Sequence, residues 1–190
     1  LRDEEVFALF ETVTRHVSVP VCIYDNPGTT HFTFTDELHG LLSSLEGIHS
    51  VKIPGVPDNP AAAAERVDAL RQHLRPGVTI GISGDAYAGL GLNAGCEVWY
   101  SVCGGLFPVT AKQITEAAAA NDRERVTTLT TRLEPLWALF RKHRGSLRVI
   151  AAAAGVLGLT DTDCLPRPLQ PLSVGDIADI AGVIRALELK

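Results

Sequence analysis

The sequence lacks the features that mark membrane-spanning and nucleic-acid-binding proteins. The apolar stretch at residues 149–159 is too short to cross a bilayer as a helix. The formal net charge of -5 argues against the basic surface that nucleic acid or anionic lipid requires. We therefore expect neither a nucleic acid nor a membrane as a partner.

Cysteine and histidine are too scattered to predict a metal site or a disulfide framework. The four cysteines show no C-x-x-C spacing, and the six histidines form no i, i+4 pair with a carboxylate partner. Free thiols in or beside strands act as small hydrophobic groups, and their presence favours a reducing compartment. We therefore expect a cytoplasmic protein without metal ligands, whose cysteines are Cys22, Cys96, Cys103 and Cys164.

Strand and helix signals alternate over residues 1–121 and predict an α/β fold with right-handed crossovers. Helix starts are marked by Thr35 and Asn59 as N-caps and by a capping box that begins at Thr110. After residue 121 the spacing is helical throughout, which predicts an all-helical region at 122–190. Four runs rich in β-branched residues are expected to form buried parallel strands, apolar on both faces, at 19–24, 48–53, 78–83 and 96–102.

Two polar residues stand where predicted strands end, Tyr24 as the last residue of the first run and Lys52 near the end of the second. The carboxyl ends of parallel strands carry the chemistry of α/β barrels. Burial disfavours a charged ammonium group, so a lysine in this setting can act as a nucleophile, and a neighbouring tyrosine can carry protons. Taken singly, each residue also fits an ordinary strand end that is packed or solvated.

Five motifs in a fixed order strengthen this interpretation. The chain resembles the dihydrodipicolinate synthase / N-acetylneuraminate lyase family of class I aldolases, in order and spacing, over nearly its whole length. The matching stretches are Pro20-Val-Cys-Ile-Tyr24-Asp-Asn-Pro27, Val51-Lys52, Ser83-Gly84-Asp85, Ala94-Gly95 with Tyr100-Ser101-Val102 and Pro108, and Arg167-Pro168-Leu169. The resemblance implies the C-terminal half of a (β/α)8 TIM barrel, roughly strands 5–8, in residues 1–121. Residues 122–190 would form a C-terminal helical region packed on that barrel.

The resemblance also implies a chemistry. Lys52 would form a Schiff base with pyruvate or a related 2-oxo acid, and Tyr24 would shuttle protons to and from the imine and the substrate hydroxyl. Gly84, Asp85 and the backbone near Tyr100 would border the pocket, and no metal or organic cofactor would be needed. The family is usually a homotetramer built as a dimer of dimers, so we expect a homo-oligomer.

One position bears on the identity of the substrate. Lysine-pathway members of the family carry an arginine two residues after the proline of the turn, where this chain has Thr29. A hydroxyl group suits a polyhydroxylated substrate, so the sequence favours cleavage or formation of 2-oxo-3-deoxy sugar acids. The alternatives are dihydrodipicolinate synthase of lysine biosynthesis and a non-catalytic barrel that binds 2-oxo acids.

The length and the start of the chain bear on completeness. Methionine is absent, and the 190 residues open inside an apparent helix at Asp3. A whole barrel needs about 250 residues, so roughly the first third is expected to be missing. With it would be missing the Thr-Thr-Gly type loop that holds the substrate carboxylate and a further tyrosine of the proton relay.

Two glycine-containing stretches come close to known signatures without matching them. The third glycine of residues 89–95 falls one position late for a dinucleotide fingerprint. Residues 81–85 end in aspartate where a nucleophile elbow has glycine. Neither stretch predicts nucleotide binding or a serine hydrolase, and an alternative role for Asp85 is to cap the following helix.

Overall fold

The structure, a computed structural model, describes residues 1–161 and 163–189. The chain divides into two compact units, Leu1–Tyr100 and a second unit that begins at Ser101. The boundary predicted at residues 121 and 122 stays a prediction. The elements of the first unit are α1 (Asp3–His16), β1 (Val21–Tyr24), α2 (Pro27–Thr30), α3 (Asp36–Ser43), β2 (Ile48–Ile53), α4 (Pro60–His73), β3 (Thr79–Ile82), a 3₁₀ turn (Asp85–Tyr87), α5 (Ala88–Asn93) and β4 (Val98–Trp99).

The four strands form one parallel sheet in the order β1-β2-β3-β4. Each strand follows its neighbour both in sequence and in space, as expected for successive β-α units with crossover helices. The register pairs Tyr24 with Lys52 across β1 and β2, and Lys52 with Gly81 across β2 and β3. The predicted α/β class and the four strand positions are therefore confirmed, although β4 is shorter than the predicted run.

The two faces of the sheet differ, so the prediction of strands apolar on both faces is wrong. Side chains alternate between faces along a strand, and the register aligns that alternation across the sheet. One face is aliphatic and lies in the hydrophobic core shared with the helices, through Ile23, Val51, Ile53, Ile80 and Ile82. The other face carries Cys22, Tyr24, Ser50, Lys52 and Thr79.

Helix starts follow the predicted capping chemistry at two of three places. Thr35 Oγ1 accepts a hydrogen bond from the Leu38 backbone N–H at 3.1 Å. Asn59 Oδ1 accepts from the N–H groups of the first helical turn, at 2.9 and 3.1 Å, with Pro60 at the first helical position. The capping box predicted at Thr110 is wrong, because α7 already begins at Pro108, whose ring pre-sets a helical φ.

The second unit is helical in its described part. Its core includes the fully buried side chains of Phe107, Ile114, Val126, Leu133 and Leu136. In the described residues no helix is long and apolar enough to cross a membrane. The helices are α6 (Cys103–Leu106), α7 (Pro108–Ala119), α8 (Arg123–Arg132), α9 (Glu134–Lys142), α10 (Leu147–Val156) and α11 (Val174–Leu187).

Candidate functional site

Lys52 and Tyr24 are brought together by the pairing of β1 with β2. The Lys52 Nζ atom lies 3.8 Å from the centroid of the Tyr24 ring, which is cation–π distance. The Asp25 N–H donates to the Lys52 carbonyl at 3.1 Å, which continues the pairing past the end of β1. Lys52 is half-buried and Tyr24 is 51% exposed, so the amine lies at an accessible end of the sheet. Their predicted proximity is confirmed; their catalytic roles stay predictions.

Tyr100 approaches the same amine from the other side of β2. Its ring centroid lies 5.6 Å from Lys52 Nζ, and its hydroxyl donates to Ser50 Oγ at 2.8 Å. Burial raises the pKa of the Tyr100 phenol, the neighbouring Cys22 thiol adds to the rise, and the hydrogen bond with Ser50 opposes it. That the backbone near Tyr100 borders the pocket stays a prediction; the structure shows that its side chain reaches the face of the sheet that carries Lys52.

Gly81 makes the position of Tyr100 sterically allowed. A Cβ atom at residue 81 would lie 2.2 Å from Tyr100 Cε2 and 2.6 Å from Cδ2, far inside van der Waals contact. Ser50, the acceptor of Tyr100, also accepts from Thr79 Oγ1 at 2.9 Å. Sequence reasoning missed Gly81, Ser50 and Thr79 as parts of the site, because their link to Tyr100 requires the strand register.

The turn after β3 holds two of the predicted pocket residues. Gly84 has φ 77° and ψ 96°, a left-handed conformation that favours glycine. Asp85 is 7% exposed, and its Oδ1 accepts from Trp99 Nε1 at 3.1 Å. It is the first residue of the 3₁₀ turn, whose N-cap position belongs to Gly84, so the alternative role of Asp85 as an N-cap is wrong. Contact of either residue with substrate stays a prediction.

Thr29 lies on α2, immediately after the strand that carries Tyr24. It is exposed, and its Oγ1 accepts a hydrogen bond from Asn26 Nδ2 at 3.1 Å. The hydroxyl is therefore on the surface of the turn, held by its own neighbour. Its role in substrate binding stays a prediction.

A buried ionisable pair, which sequence reasoning missed, lies on the helix side of the strand end. His39 is fully buried and stacks on Phe34 with a centroid separation of 4.9 Å. Its Nε2 atom is 3.9 Å from Asp25 Oδ2. Burial lowers the pKa of His39 to about 4 and raises that of Asp25. The stacking and the burial give this histidine a packing role in the structure.

Among the described residues, no group of three or more histidine, cysteine or acidic side chains could hold a metal ion. All four cysteines are free thiols. Burial raises the pKa of Cys96 to about 12, so that thiol stays protonated. The face that carries Lys52 offers an amine, two phenols, hydroxyls and the Cys22 thiol, and the carboxyl groups of Asp25 and Asp85 follow β1 and β3.

Comparison with known proteins adds evidence independent of the geometry. The family model described as "Dihydrodipicolinate synthetase family" matches residues 2–186. A 4-hydroxy-tetrahydrodipicolinate synthase of Parvibaculum lavamentivorans is 29% identical over 191 residues, which cover 98% of this chain and 61% of the relative. The same enzyme of Rickettsia rickettsii is 26% identical over 186 residues, which cover 97% of this chain and 60% of the relative.

The solved structures that this chain resembles include proteins with the same family name. A dihydrodipicolinate synthase of Agrobacterium tumefaciens superposes with a TM-score of 0.90 at 40% identity, over 98% of this chain and 62% of that chain. A second match is a prophage protein of the dihydrodipicolinic acid synthase family from E. coli K12, solved with pyruvate. Its TM-score is 0.84 at 20% identity, and the match covers 100% of this chain and 63% of that chain. The latter shows the fold alone.

The comparisons bear on both the fold and the family. The chain spans 61% of the length of the Parvibaculum relative, which agrees with the second half of a barrel and a helical extension. The family match extends over most of the chain, and the predicted motifs lie inside it. The chain belongs to the dihydrodipicolinate synthetase family.

Proposed function

We propose that this chain carries the Schiff-base centre of a class I aldolase-type lyase that acts on pyruvate or a related 2-oxo acid. The observation that supports the proposal is the placement of Lys52 Nζ 3.8 Å from the Tyr24 ring at the ends of paired parallel strands. Family membership gives this pair a chemical context. No other described lysine is paired with an aromatic ring in this way.

The reaction begins with attack of the neutral Lys52 amine on the keto carbon. The carbinolamine loses water, and the resulting protonated imine withdraws electrons from the adjacent carbon. A C–C bond at that carbon can then break, or the carbon can lose a proton to give an enamine, which attacks an aldehyde. Tyr24 moves protons at the carbinolamine and substrate hydroxyls. The π face of its ring, close to the amine, also favours the positive charge of the iminium group.

The identity of the second substrate distinguishes two candidate reactions. The names of the curated relatives favour the 4-hydroxy-tetrahydrodipicolinate synthase reaction, the lysine-pathway alternative, over the sugar-acid chemistry that the sequence favoured. The sugar-acid reaction remains a second candidate because of one observation. Thr29 offers an exposed hydroxyl in a turn where arginine would supply a charged, bidentate contact to a carboxylate.

Covalent trapping tests the proposed centre. The full-length gene product is incubated with pyruvate and borohydride, and the reduced adduct is located by peptide mass spectrometry. We expect the adduct on Lys52 and none after Lys52→Arg. Lys112, whose side chain is 74% exposed, is the internal control for non-specific reaction. An adduct on another lysine, or none with any 2-oxo acid, contradicts the proposal.

Turnover assays distinguish the remaining alternatives. Condensation of pyruvate with aspartate semialdehyde is compared with retro-aldol cleavage of a panel of 2-oxo-3-deoxy sugar acids. Condensation alone supports the lysine-pathway reaction, and cleavage alone supports the sugar-acid reaction. Trapping on Lys52 without turnover of any substrate identifies a non-catalytic barrel that binds 2-oxo acids.

The assembly belongs to the same proposal. We expect a homotetramer built as a dimer of dimers, as the family resemblance implies. Sedimentation equilibrium of the full-length gene product measures the assembled mass. A monomer at micromolar concentration contradicts this part of the proposal without affecting the imine chemistry.

A further inference from the structure

The Tyr100 side chain spans two strands to reach the neighbourhood of Lys52. It follows β4, its ring occupies the space above Gly81 of β3, and its hydroxyl bonds Ser50 of β2. Ser50 lies two residues before Lys52 on the same strand and the same face. The ring is thus held at both ends, by its backbone directly after β4 and by a hydrogen bond to a residue of β2.

The hydrogen-bond acceptor is itself held in place. Ser50 is 8% exposed, accepts from Thr79 Oγ1 at 2.9 Å and donates to the Thr79 carbonyl at 3.3 Å. A serine hydroxyl with two donors and one acceptor has little freedom to rotate. Tyr100 is therefore bound to a fixed point, and its ring cannot swing away from the sheet without breaking the 2.8 Å hydrogen bond.

The fixed ring limits where the lysine side chain can go. Lys52 Nζ has the Tyr24 ring at 3.8 Å and the Tyr100 ring at 5.6 Å. The lysine side chain has a flexible stem of four carbons, so an unconstrained amine samples many directions. Imine formation requires the amine to approach the keto carbon along a narrow path, so restricting the stem increases the reactive fraction.

We infer that Tyr100 is a positioning residue for Lys52, and that its ring, bonded to Ser50 across Gly81, orients the amine toward the 2-oxo acid. The inference rests on the proposed function and deepens it. Tyr100 does not exchange protons with the substrate in this account. Its hydroxyl serves Ser50, and its ring supplies the constraint.

Two reagents separate orientation from nucleophilicity in the full-length gene product. Pyruvate with borohydride requires an oriented amine, whereas formaldehyde with cyanoborohydride methylates any accessible amine. Both rates are measured at Lys52 by peptide mass spectrometry and divided by the methylation rate of Lys112. Tyr100→Leu removes the ring. Tyr100→Phe keeps the ring and removes its hydrogen bond to Ser50, whereas Ser50→Ala removes that bond together with the two bonds to Thr79.

For Tyr100→Leu we expect pyruvate trapping to slow by about tenfold or more, with relative methylation within about twofold of the unmodified protein. Tyr100→Phe and Ser50→Ala should each slow trapping by about two- to tenfold. The double variant should be no slower than the slower of the two single variants, since the bond between Tyr100 and Ser50 is already lost in each of them.

Three outcomes overturn the inference. Unchanged trapping in Tyr100→Leu shows that the ring orients nothing. A parallel fall of trapping and methylation shows that Tyr100 acts on the reactivity or access of the amine. Additive effects of Tyr100→Phe and Ser50→Ala show that the hydrogen bond is not the relevant link. Absence of trapping with any 2-oxo acid in the unmodified protein instead refutes the proposed function, and the inference falls with it.

Discussion

Gly81→Ala is the substitution that tests the geometry of this site most directly. The new methyl carbon would lie 2.2 Å from Tyr100 Cε2, 2.6 Å from Cδ2 and 3.3 Å from Val98 Cβ. Both ring separations are about 1 Å shorter than the roughly 3.5 Å at which carbon atoms attract each other. Either the ring or strand β3 must therefore move.

The size of the effect follows from what moves. Moving the ring breaks its hydrogen bond to Ser50, at about 0.5–1.5 kcal/mol, and disturbs packing, for which inserted methyl groups typically cost about 1–3 kcal/mol. Alanine in place of a strand glycine returns about 0.5–1 kcal/mol through the unfolded chain. The expected net loss of stability is about 1–3 kcal/mol.

The measurement is urea unfolding of the full-length gene product, followed by circular dichroism. The matched control is the double variant Gly81→Ala with Tyr100→Leu, in which the clashing ring atoms are absent. We expect the double variant to be no less stable than Tyr100→Leu alone, within about 0.5 kcal/mol. Two results would contradict this reasoning. Either Gly81→Ala is as stable as the unmodified protein, or Gly81→Ala lowers the free energy of unfolding as much in the Tyr100→Leu background as in the unmodified protein.

Tyr24→Phe should keep the fold and slow turnover by about 10²–10⁴-fold, since the ring remains while the proton path is lost; near-normal steady-state turnover would assign Tyr24 to packing. His39→Leu should make the free energy of unfolding less sensitive to acid. The pKa of His39 is about 4 in the folded state and 6.5 in the unfolded state, so the unfolded state binds the proton first as the pH falls. Stability is therefore lost between these two values, by on the order of 2 kcal/mol at pH 5; equal losses in both proteins between pH 7 and 5, measured by urea unfolding, would contradict this. Asp36→Asn should cost about 1 kcal/mol because Asp36 accepts two bonds from Arg66, at 2.7 and 2.9 Å. The control Glu37→Gln, at a side chain 79% exposed, should cost less than about 0.5 kcal/mol, and equal costs would refute the prediction.

Local sequence patterns determined the positions of the secondary structure elements and of the two central residues. The strand ends at Tyr24 and near Lys52, and the caps Thr35 and Asn59, follow from residues within a few positions of each other. Strand propensity and capping act over that same short range. Local signals were less reliable where two compete, as at Thr110, where Pro108 starts the helix earlier.

The family was also within reach of the sequence, because five motifs in order carry more information than any one; the chemistry inferred from it stays a prediction. The choice of second substrate was not. The sequence favoured a sugar acid from the single position Thr29, whereas the relatives' names favour the lysine-pathway reaction. One turn residue cannot decide a specificity that depends on every group around the substrate.

Only the tertiary structure decided how the rest of the site is assembled. Tyr100 and Ser50 are 50 positions apart, and the glycine at 81 gives no local sign that a ring from another strand fills its missing side chain. The contact of buried His39 with Asp25 likewise joins a helix to a strand end. Such contacts depend on register and on which face each side chain takes. A shift of one residue in strand pairing would change the register and turn every side chain of the strand to the opposite face. These contacts are therefore set by the packed sheet as a whole.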